Sequence, residues 1–350
     1  MSQLVEECLD GLASTVLMND AYSESKCGQL LHQPVTDDSL NDLAACMSVD
    51  DVGPAHTVIS RLLNAVVAHS GCLIDRFCVS GSIGHQPSIG CEDKLGFDIT
   101  VFVETSEKSF GEHQHVSAEK VYHSIENIIG RNSVLCDHLG LHFEMEGFQF
   151  HLAITPALGH RMHEQRKRVW DFIQEAEQVA EVDLQSLDKY SISMHESLTA
   201  FMHLGDPVLH GLVRLARFWR RQHSQFNVSP IAIVLVMMRC IEDEKTRVGT
   251  VGKFPVKRVF IEFLSAIARM NTLRMSWHRF YIPELVPKRM AKDTAGETYL
   301  IDPVNPWRNL LPKDVGNISS SANACIEQLK NPDCTLYDIF SSRTTSTRGG

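Results

Sequence analysis

Apolar residues recur along the chain with two spacings, and each spacing predicts one kind of element. Between residues 57 and 70 they recur every three or four positions, which predicts an amphipathic helix. A β-rich run at 97–103 predicts a strand, and alternation at 141–154 predicts a hairpin that turns at Glu146-Gly147. From about residue 160 the spacing is helical, and further helices are predicted at 162–178, 207–222, 230–242 and 256–270. The first half therefore places helices around one sheet, and the second half is mostly helical.

Three further stretches complete the outline of the chain. Phe77-Cys78-Val79 is β-like and precedes Gly81-Ser82, and the polar stretch 105–116 is typical of a loop. Ser117 is the residue type that caps a helix, so the next helix is expected to begin there. The predicted domains are an acidic, loosely attached helical extension at 1–50, a sheet lobe at 51–160 and a helical lobe at 161–350.

Charge and cysteine content narrow the classes of function. The chain has 33 Lys and Arg against 43 Asp and Glu, a formal net charge of −10, which disfavours general affinity for a phosphate backbone. A local basic groove remains compatible with this balance. The ten cysteines contain no CxxC pair, so neither a zinc site nor a disulfide framework is predicted. With no secretory signal and no apolar stretch of membrane-spanning length, we expect a cytoplasmic protein without membrane contact, for which an additional nuclear location stays open.

The residues best suited to nucleotide chemistry lie between Val79 and Val103. A Gly81-Ser82 turn after a strand allows backbone N–H groups to approach a triphosphate, and the serine hydroxyl adds a donor. Asp98, on the next predicted strand, is an acidic residue of the kind that holds a metal bridging such phosphates. The alternative is an ordinary hairpin turn with Asp98 as a solvated carboxylate, and these residues alone favour that alternative.

Several segments, taken in order, resemble one family. The Gly81-Ser82 turn and the Asp98 strand are followed by a basic, tryptophan-containing helix at 212–219 and by a helix that opens at Ser229-Pro230. The segment 299–309, which begins Tyr-Leu-Ile-Asp-Pro-Val-Asn-Pro, is similar to the Asp-Pro signature of 2′-5′-oligoadenylate synthetases. The set resembles the nucleotidyltransferases that include these synthetases and cyclic GMP-AMP synthase, and is closest to the synthetases. The resemblance implies an α+β fold, with a polymerase-beta-like mixed-sheet nucleotidyltransferase lobe followed by an all-helical lobe.

The same resemblance implies a catalytic site in which three carboxylates hold Mg²⁺ ions, and this chain keeps one of them. Asp98 stands at the second position and is the metal ligand that remains. Gly96 occupies the position of the first carboxylate and His151 that of the third. Two alternatives would restore a metal site. Glu92 or Asp93 would supply a carboxylate from the neighbouring loop, or His151 would ligate through nitrogen, which suits metals softer than magnesium.

The implied nucleotide contacts are kept in part. Gly81 and Ser82 stand in the phosphate-binding turn, and Arg217 occupies the position of a lysine that reaches phosphates in the family. The helix after Ser229 is apolar where the family contacts substrate. We therefore expect a catalytically degenerate nucleotidyltransferase-fold protein that binds ATP or another nucleotide, double-stranded RNA or a protein partner. The alternatives are an active, Mg²⁺-dependent enzyme that uses ATP, and a structural subunit of a larger complex.

A basic helix at 161–168 offers a further nucleic-acid contact. Arg161, Arg166, Lys167 and Arg168 lie there, but Glu164 and Asp171 are interleaved with them. This pattern favours a solvated helix face over a nucleic-acid interface.

Overall fold

The computed structural model describes residue 5 and the ranges 27–47, 53–81, 96–104, 112–129, 134–136, 140–179, 188–203, 208–223, 228–248, 254–277, 281, 298–312 and 315–341. The chain divides into two compact units. Unit 1 comprises 1–19, 49–205 and 274–310, and unit 2 comprises 20–48, 206–273 and 311–350. These boundaries differ from the predicted ones, because residues 161–205 and the 299–309 segment belong with the sheet.

Unit 1 is built on a five-stranded mixed sheet with strand order β1-β2-β5-β4-β3. The parallel pair is β2–β5, and the other neighbours are antiparallel. The predicted strand at 97–103 and the predicted hairpin at 141–154 are confirmed. The strands are β1 (Ile74–Gly81), β2 (Gly96–Glu104), β3 (Val134–Cys136), β4 (Leu141–Met145) and β5 (Phe148–Ala157).

The hairpin between β4 and β5 turns where the sequence predicts it. Glu146 has φ 51° and Gly147 has φ 84°, so both residues of the turn adopt the left-handed conformation. A two-residue turn of this kind matches the twist of antiparallel strands, and glycine accepts the second position without strain. The turn fixes the register of β4 against β5 and thereby sets which side chains of β5 face each side of the sheet.

One face of the sheet is apolar and is covered by two helices, α2 (Gly53–His69) and α3 (Glu112–Ile129). Alternate residues of the strands, among them Phe97, Ile99 and Leu152, pack with the buried side of α2 in one core. The prediction that α3 begins at Ser117 is wrong, since the helix extends back to Glu112. Gly111 is the nearest helix-breaking residue, and residues 105–111 lie outside the described ranges.

The opposite face of the sheet meets helices that the sequence pattern does not predict. They are α5 (Asp188–Ser193) and α6 (His195–His203), which follow α4 (Met162–Val179). Arg76 of β1 holds α6 against this face. Its guanidinium lies 4.1 Å from the centre of the Phe102 ring, and its Nη2 is 3.0 Å from the Glu196 carboxylate. Arg76 Nη1 also donates to the carbonyl of Gly159 at 3.0 Å.

Unit 2 contains helices from three stretches of chain. They are α1 (Asp37–Cys46), α7 (Val208–Gln222), α8 (Pro230–Val248), α9 (Val256–Ala268), α10 (Gly316–Leu329) and α11 (Leu336–Phe340). The predicted loose attachment of the N-terminal extension is wrong for α1. Arg214 Nε donates to the Ala44 carbonyl at 2.9 Å, and the Lys257 N–H donates to Asp37 Oδ1 at 2.7 Å. Within the described residues, no helix is long and apolar enough to cross a membrane.

The segment 298–310 packs inside unit 1. It contributes β7 (Tyr299–Leu300), which pairs in parallel with β6 (Arg274–Met275). Asp302 Oδ1 accepts hydrogen bonds from the N–H groups of Val304 at 2.9 Å and Asn305 at 3.2 Å. Trp170 Nε1 donates to the Val304 carbonyl at 2.9 Å, which ties the turn to α4. Burial raises the pKa of Asp302, while Arg308 and the backbone N–H groups oppose the rise.

These contacts predict that Asp302→Ala and Leu300→Ala destabilise the protein. Both side chains are buried, at 1% and 0% exposure. Truncating a buried leucine costs about 2–5 kcal/mol, and removing a buried hydrogen-bonded acceptor costs about 1–3 kcal/mol. Denaturant unfolding followed by circular dichroism measures both changes. Asp42→Ala, at an exposed position of α1, is the control, and equal stability of all three variants would contradict the structural role.

Candidate functional site

A row of polar side chains crosses four strands on the face of the sheet opposite the apolar core. Ser80 of β1 pairs with Asp98 of β2, Asp98 pairs with His151 of β5, and His151 pairs with His142 of β4. Residues that pair directly across neighbouring strands point to the same side of a sheet. The sequence of β2 produces this face because Asp98 and Thr100 alternate with apolar residues.

Asp98 and His151 are in direct contact. Nδ1 of His151 lies 3.1 Å from Oδ1 of Asp98, and the two residues are 7% and 2% exposed. An ionised carboxylate can only accept, so Nδ1 carries the proton in this bond. The predicted metal-binding carboxylate is thus buried and already bonded to the side chain at the third-carboxylate position.

His151 is held in place from both sides. Its ring stacks on that of His142, with 4.5 Å between centres and 22° between planes. Behind it, Gly140 approaches so closely that an added Cβ would lie 2.4 Å from the Leu152 carbonyl oxygen and 2.9 Å from His151 Nε2. Only glycine fits at position 140 without a shift of β5.

His195, the first residue of α6, extends the polar row. Its Nε2 lies 2.8 Å from Ser80 Oγ, and its Nδ1 lies 2.7 Å from Thr100 Oγ1. Burial lowers the pKa of His195, and the charge of Asp98 opposes this effect. A neutral imidazole has one donor and one acceptor nitrogen, so one hydroxyl donates to the ring and the other accepts from it.

The 299–309 segment contributes a positive charge to the same region. Arg308 Nη1 lies 3.6 Å from Asp302 Oδ2. Electrostatic interactions with His151 and Arg308 lower the pKa of His195 further, after the larger effect of burial. The signature segment therefore influences the polar row through Arg308, which the sequence analysis does not single out.

The structure brings together some of the predicted site residues. Asp98 and His151 are adjacent, and Gly96 begins β2 two residues before Asp98, opposite Gln149. Gly81 ends β1 opposite Phe97. Ser82, Glu92 and Asp93 lie outside the described residues. Arg217 is buried in α7 of unit 2, at 7% exposure.

A magnesium pair does not suit these side chains. Divalent cations bridged to phosphates require several carboxylate oxygens at fixed positions, and the row supplies one carboxylate bonded to an imidazole. In the described part of the chain, no group of three His, Cys, Asp or Glu side chains is arranged to hold a metal ion.

Sequence reasoning missed several members of the row. Ser80 and Thr100 carried a usable signal, because polar residues at alternate positions of a buried strand share its second face with Asp98. His142 carried the same signal within the predicted hairpin. His195 and Arg308 gave no such sequence signal, since they lie in segments that are distant in the chain from these strands.

The lowered pKa of His195 predicts a pH-dependent stability. The unfolded residue binds its proton near pH 6.5, whereas the folded residue resists protonation until lower pH. Stability from this group is therefore present above about pH 6.5 and is lost below it, by at most ~1.4 kcal/mol per pH unit. Among the described residues, Asp98 raises this pKa, and His151 and Arg308 lower it.

Unfolding of the wild type and of His195→Asn between about pH 7 and pH 5 measures the effect. We expect a shallower pH slope in the variant, because asparagine does not titrate. His160→Asn, at an exposed histidine, is the control and should keep the wild-type slope. Parallel slopes for all three proteins would show that His195 does not bind the linked proton.

Comparison with known proteins supports the fold. No family model matches the chain, and no curated protein matches it significantly. The Escherichia coli MS115-1 CdnC:HORMA-deltaN complex has 14% identity and a TM-score of 0.54, covering 92% of this chain and 98% of that one. CdnC with ATP gives 14% identity, 93% and 98% coverage, and a TM-score of 0.54. The Bradyrhizobium diazoefficiens CD-NTase CdnG with GTP matches at 12% identity, 96% coverage of both chains and a TM-score of 0.44. The predicted α+β nucleotidyltransferase fold is confirmed.

Proposed function

We propose that this chain is a catalytically degenerate nucleotidyltransferase-fold protein, closest to the oligoadenylate synthetases, that acts by binding a nucleotide and a protein partner. One observation carries the proposal. The remaining catalytic carboxylate, Asp98, is flanked by Gly96 on its own strand and bonded to His151 on the next, with 3.1 Å between Nδ1 and Oδ1. Both neighbouring carboxylate positions have lost their charge.

Electrostatics explains why such a site would not transfer nucleotides. Two divalent cations and a triphosphate need compensating negative ligands, and a neutral imidazole supplies none. The hydrogen bond from His151 would also have to break before Asp98 could turn to a cation. Losing a single well-placed electrostatic group costs about a hundredfold or more in rate, and two are replaced here.

Binding is the function that remains compatible with the residues. Gly81, Ser82 and Arg217 are the proposed phosphate contacts, and the similar CdnC is known with ATP. CdnC is also known in complex with HORMA-deltaN, which supports a protein partner for this chain. Double-stranded RNA is the less favoured partner, because the formal net charge of −10 repels a polyanion.

The first test is catalytic. Purified protein incubated with nucleoside triphosphates and Mg²⁺ or Mn²⁺, with and without double-stranded RNA, should form no oligoadenylate and no cyclic dinucleotide. Products are separated by anion-exchange chromatography. Product that disappears in Asp98→Asn would instead support the alternative, an active enzyme that uses Mg²⁺ and ATP.

A gain-of-charge variant sharpens this test. The double variant Gly96→Asp/His151→Asp restores both carboxylates and should acquire saturable Mn²⁺ binding, measured by electron paramagnetic resonance. The control, Gly96→Asn/His151→Asn, has matching side-chain size without the charge and should not bind. Equal Mn²⁺ binding by the wild type and the double Asp variant would contradict the proposal.

Nucleotide binding gives a separate prediction. Because the metal site is incomplete, calorimetric titration should show that the wild type binds ATP weakly. In Arg217→Ala the affinity should fall about tenfold or more, because one charge-assisted contact to the phosphates is lost. Arg217→Lys should retain most of it, whereas Arg221→Ala, one turn further along α7, is the control. An unchanged affinity in Arg217→Ala would exclude Arg217 from the site.

A further inference from the structure

Two cysteines of unit 2 lie close enough to react with each other. Cys27 Sγ and Cys46 Sγ are 3.0 Å apart, although the residues are 19 positions apart in sequence. Both are thiols in this structure. A disulfide bond requires a further approach of only about 1 Å. We propose that Cys27 and Cys46 form a reversible disulfide that locks the N-terminal segment 27–46 onto unit 2.

The two thiols differ in access, which suggests an order of reaction. Cys27 is fully buried, at 0% exposure, whereas Cys46 is the last residue of α1 and is partly exposed. A small oxidant therefore reaches Cys46 first. Cys27 is then positioned to attack the modified sulfur from inside the protein, which is the arrangement of a resolving cysteine.

A low-molecular-weight disulfide such as glutathione disulfide completes the chemistry. The Cys46 thiolate attacks one sulfur of glutathione disulfide, forming a mixed disulfide and releasing one glutathione thiolate, which takes up the proton lost by Cys46. The Cys27 thiolate attacks the Cys46 sulfur, forming the Cys27–Cys46 bond and releasing the second glutathione with the proton lost by Cys27. Two protein thiols are oxidised, and one glutathione disulfide is reduced to two thiols.

The segment between the cysteines connects several parts of unit 2. The Val35 N–H donates to the Cys334 carbonyl at 2.9 Å, and the Leu336 N–H donates to the Gln33 carbonyl at 2.9 Å. Lys257 Nζ donates to the Val35 carbonyl at 2.9 Å. Together with Arg214 and Ala44, these bonds attach the segment to α7, α9 and the start of α11. Joining its two ends covalently restricts the unfolded segment and so favours the attached state.

This inference is independent of the proposed nucleotide site. It also goes beyond the sequence analysis, in which no disulfide framework is predicted, since adjacency of Cys27 and Cys46 arises only in the folded chain. Ordinary reducing conditions would leave the pair as thiols, and a rise in oxidised glutathione would join them.

The experiment equilibrates the full chain in glutathione buffers of increasing oxidised fraction. Non-reducing peptide mapping by mass spectrometry should show a Cys27–Cys46 linked peptide, and the melting temperature should rise by several degrees and fall again with dithiothreitol. Cys46→Ser and Cys27→Ala should each abolish the linked peptide and the shift. Cys136→Ser, which removes an exposed cysteine of unit 1, should preserve both.

Two results would overturn the proposal. One is the absence of the linked peptide from the wild type at every buffer composition, with folding verified by circular dichroism. The other is an oxidation-dependent rise in melting temperature that persists in Cys46→Ser, because a different pair of thiols would then be responsible.

Discussion

A buried carboxylate needs a partner that offsets the free energy of removing it from water. The polar face of the sheet in unit 1 depends on the partner of Asp98. Asp98 lies on β2, which pairs in parallel with β5. The residue of β5 directly opposite is therefore the closest available partner. That residue is His151, which donates a hydrogen bond at 3.1 Å. His151 thus offsets, within the protein, part of the free energy of burying Asp98.

The rest of the polar face follows from this pairing. Burial lowers the pKa of His195, which links the hydroxyls of Ser80 and Thr100 beside Asp98. Arg308 pairs with Asp302, whose carboxylate also accepts a hydrogen bond from a backbone N–H group, and Arg308 lowers the pKa of His195. Packing and hydrogen bonding thus account for the position of the segment that resembles the Asp-Pro signature. Such a role persists whether or not the site reacts.

The sequence was informative where one short stretch of chain determines the outcome. The hairpin at 141–154 was predictable because its alternation and its Glu146-Gly147 turn are local. Gly96 and His151 were singled out through the family resemblance around Asp98, and the structure places Gly96 on the same strand and His151 opposite Asp98. His195 was not, because its contact with Thr100 spans 95 positions and no periodicity marks it. Unit boundaries were missed for a similar reason, since the chain passes between the units more than once.

The central claim is that the Asp98–His151 bond replaces the metal-binding carboxylates. Anomalous diffraction from crystals soaked in MnCl₂ and a non-hydrolysable ATP analogue tests it most directly. The anomalous signal distinguishes manganese from water and lighter ions. The account predicts no pair of manganese peaks beside Asp98, and an intact contact between His151 Nδ1 and Asp98 Oδ1. Two peaks about 3.5–4 Å apart, ligated by Asp98, would contradict it.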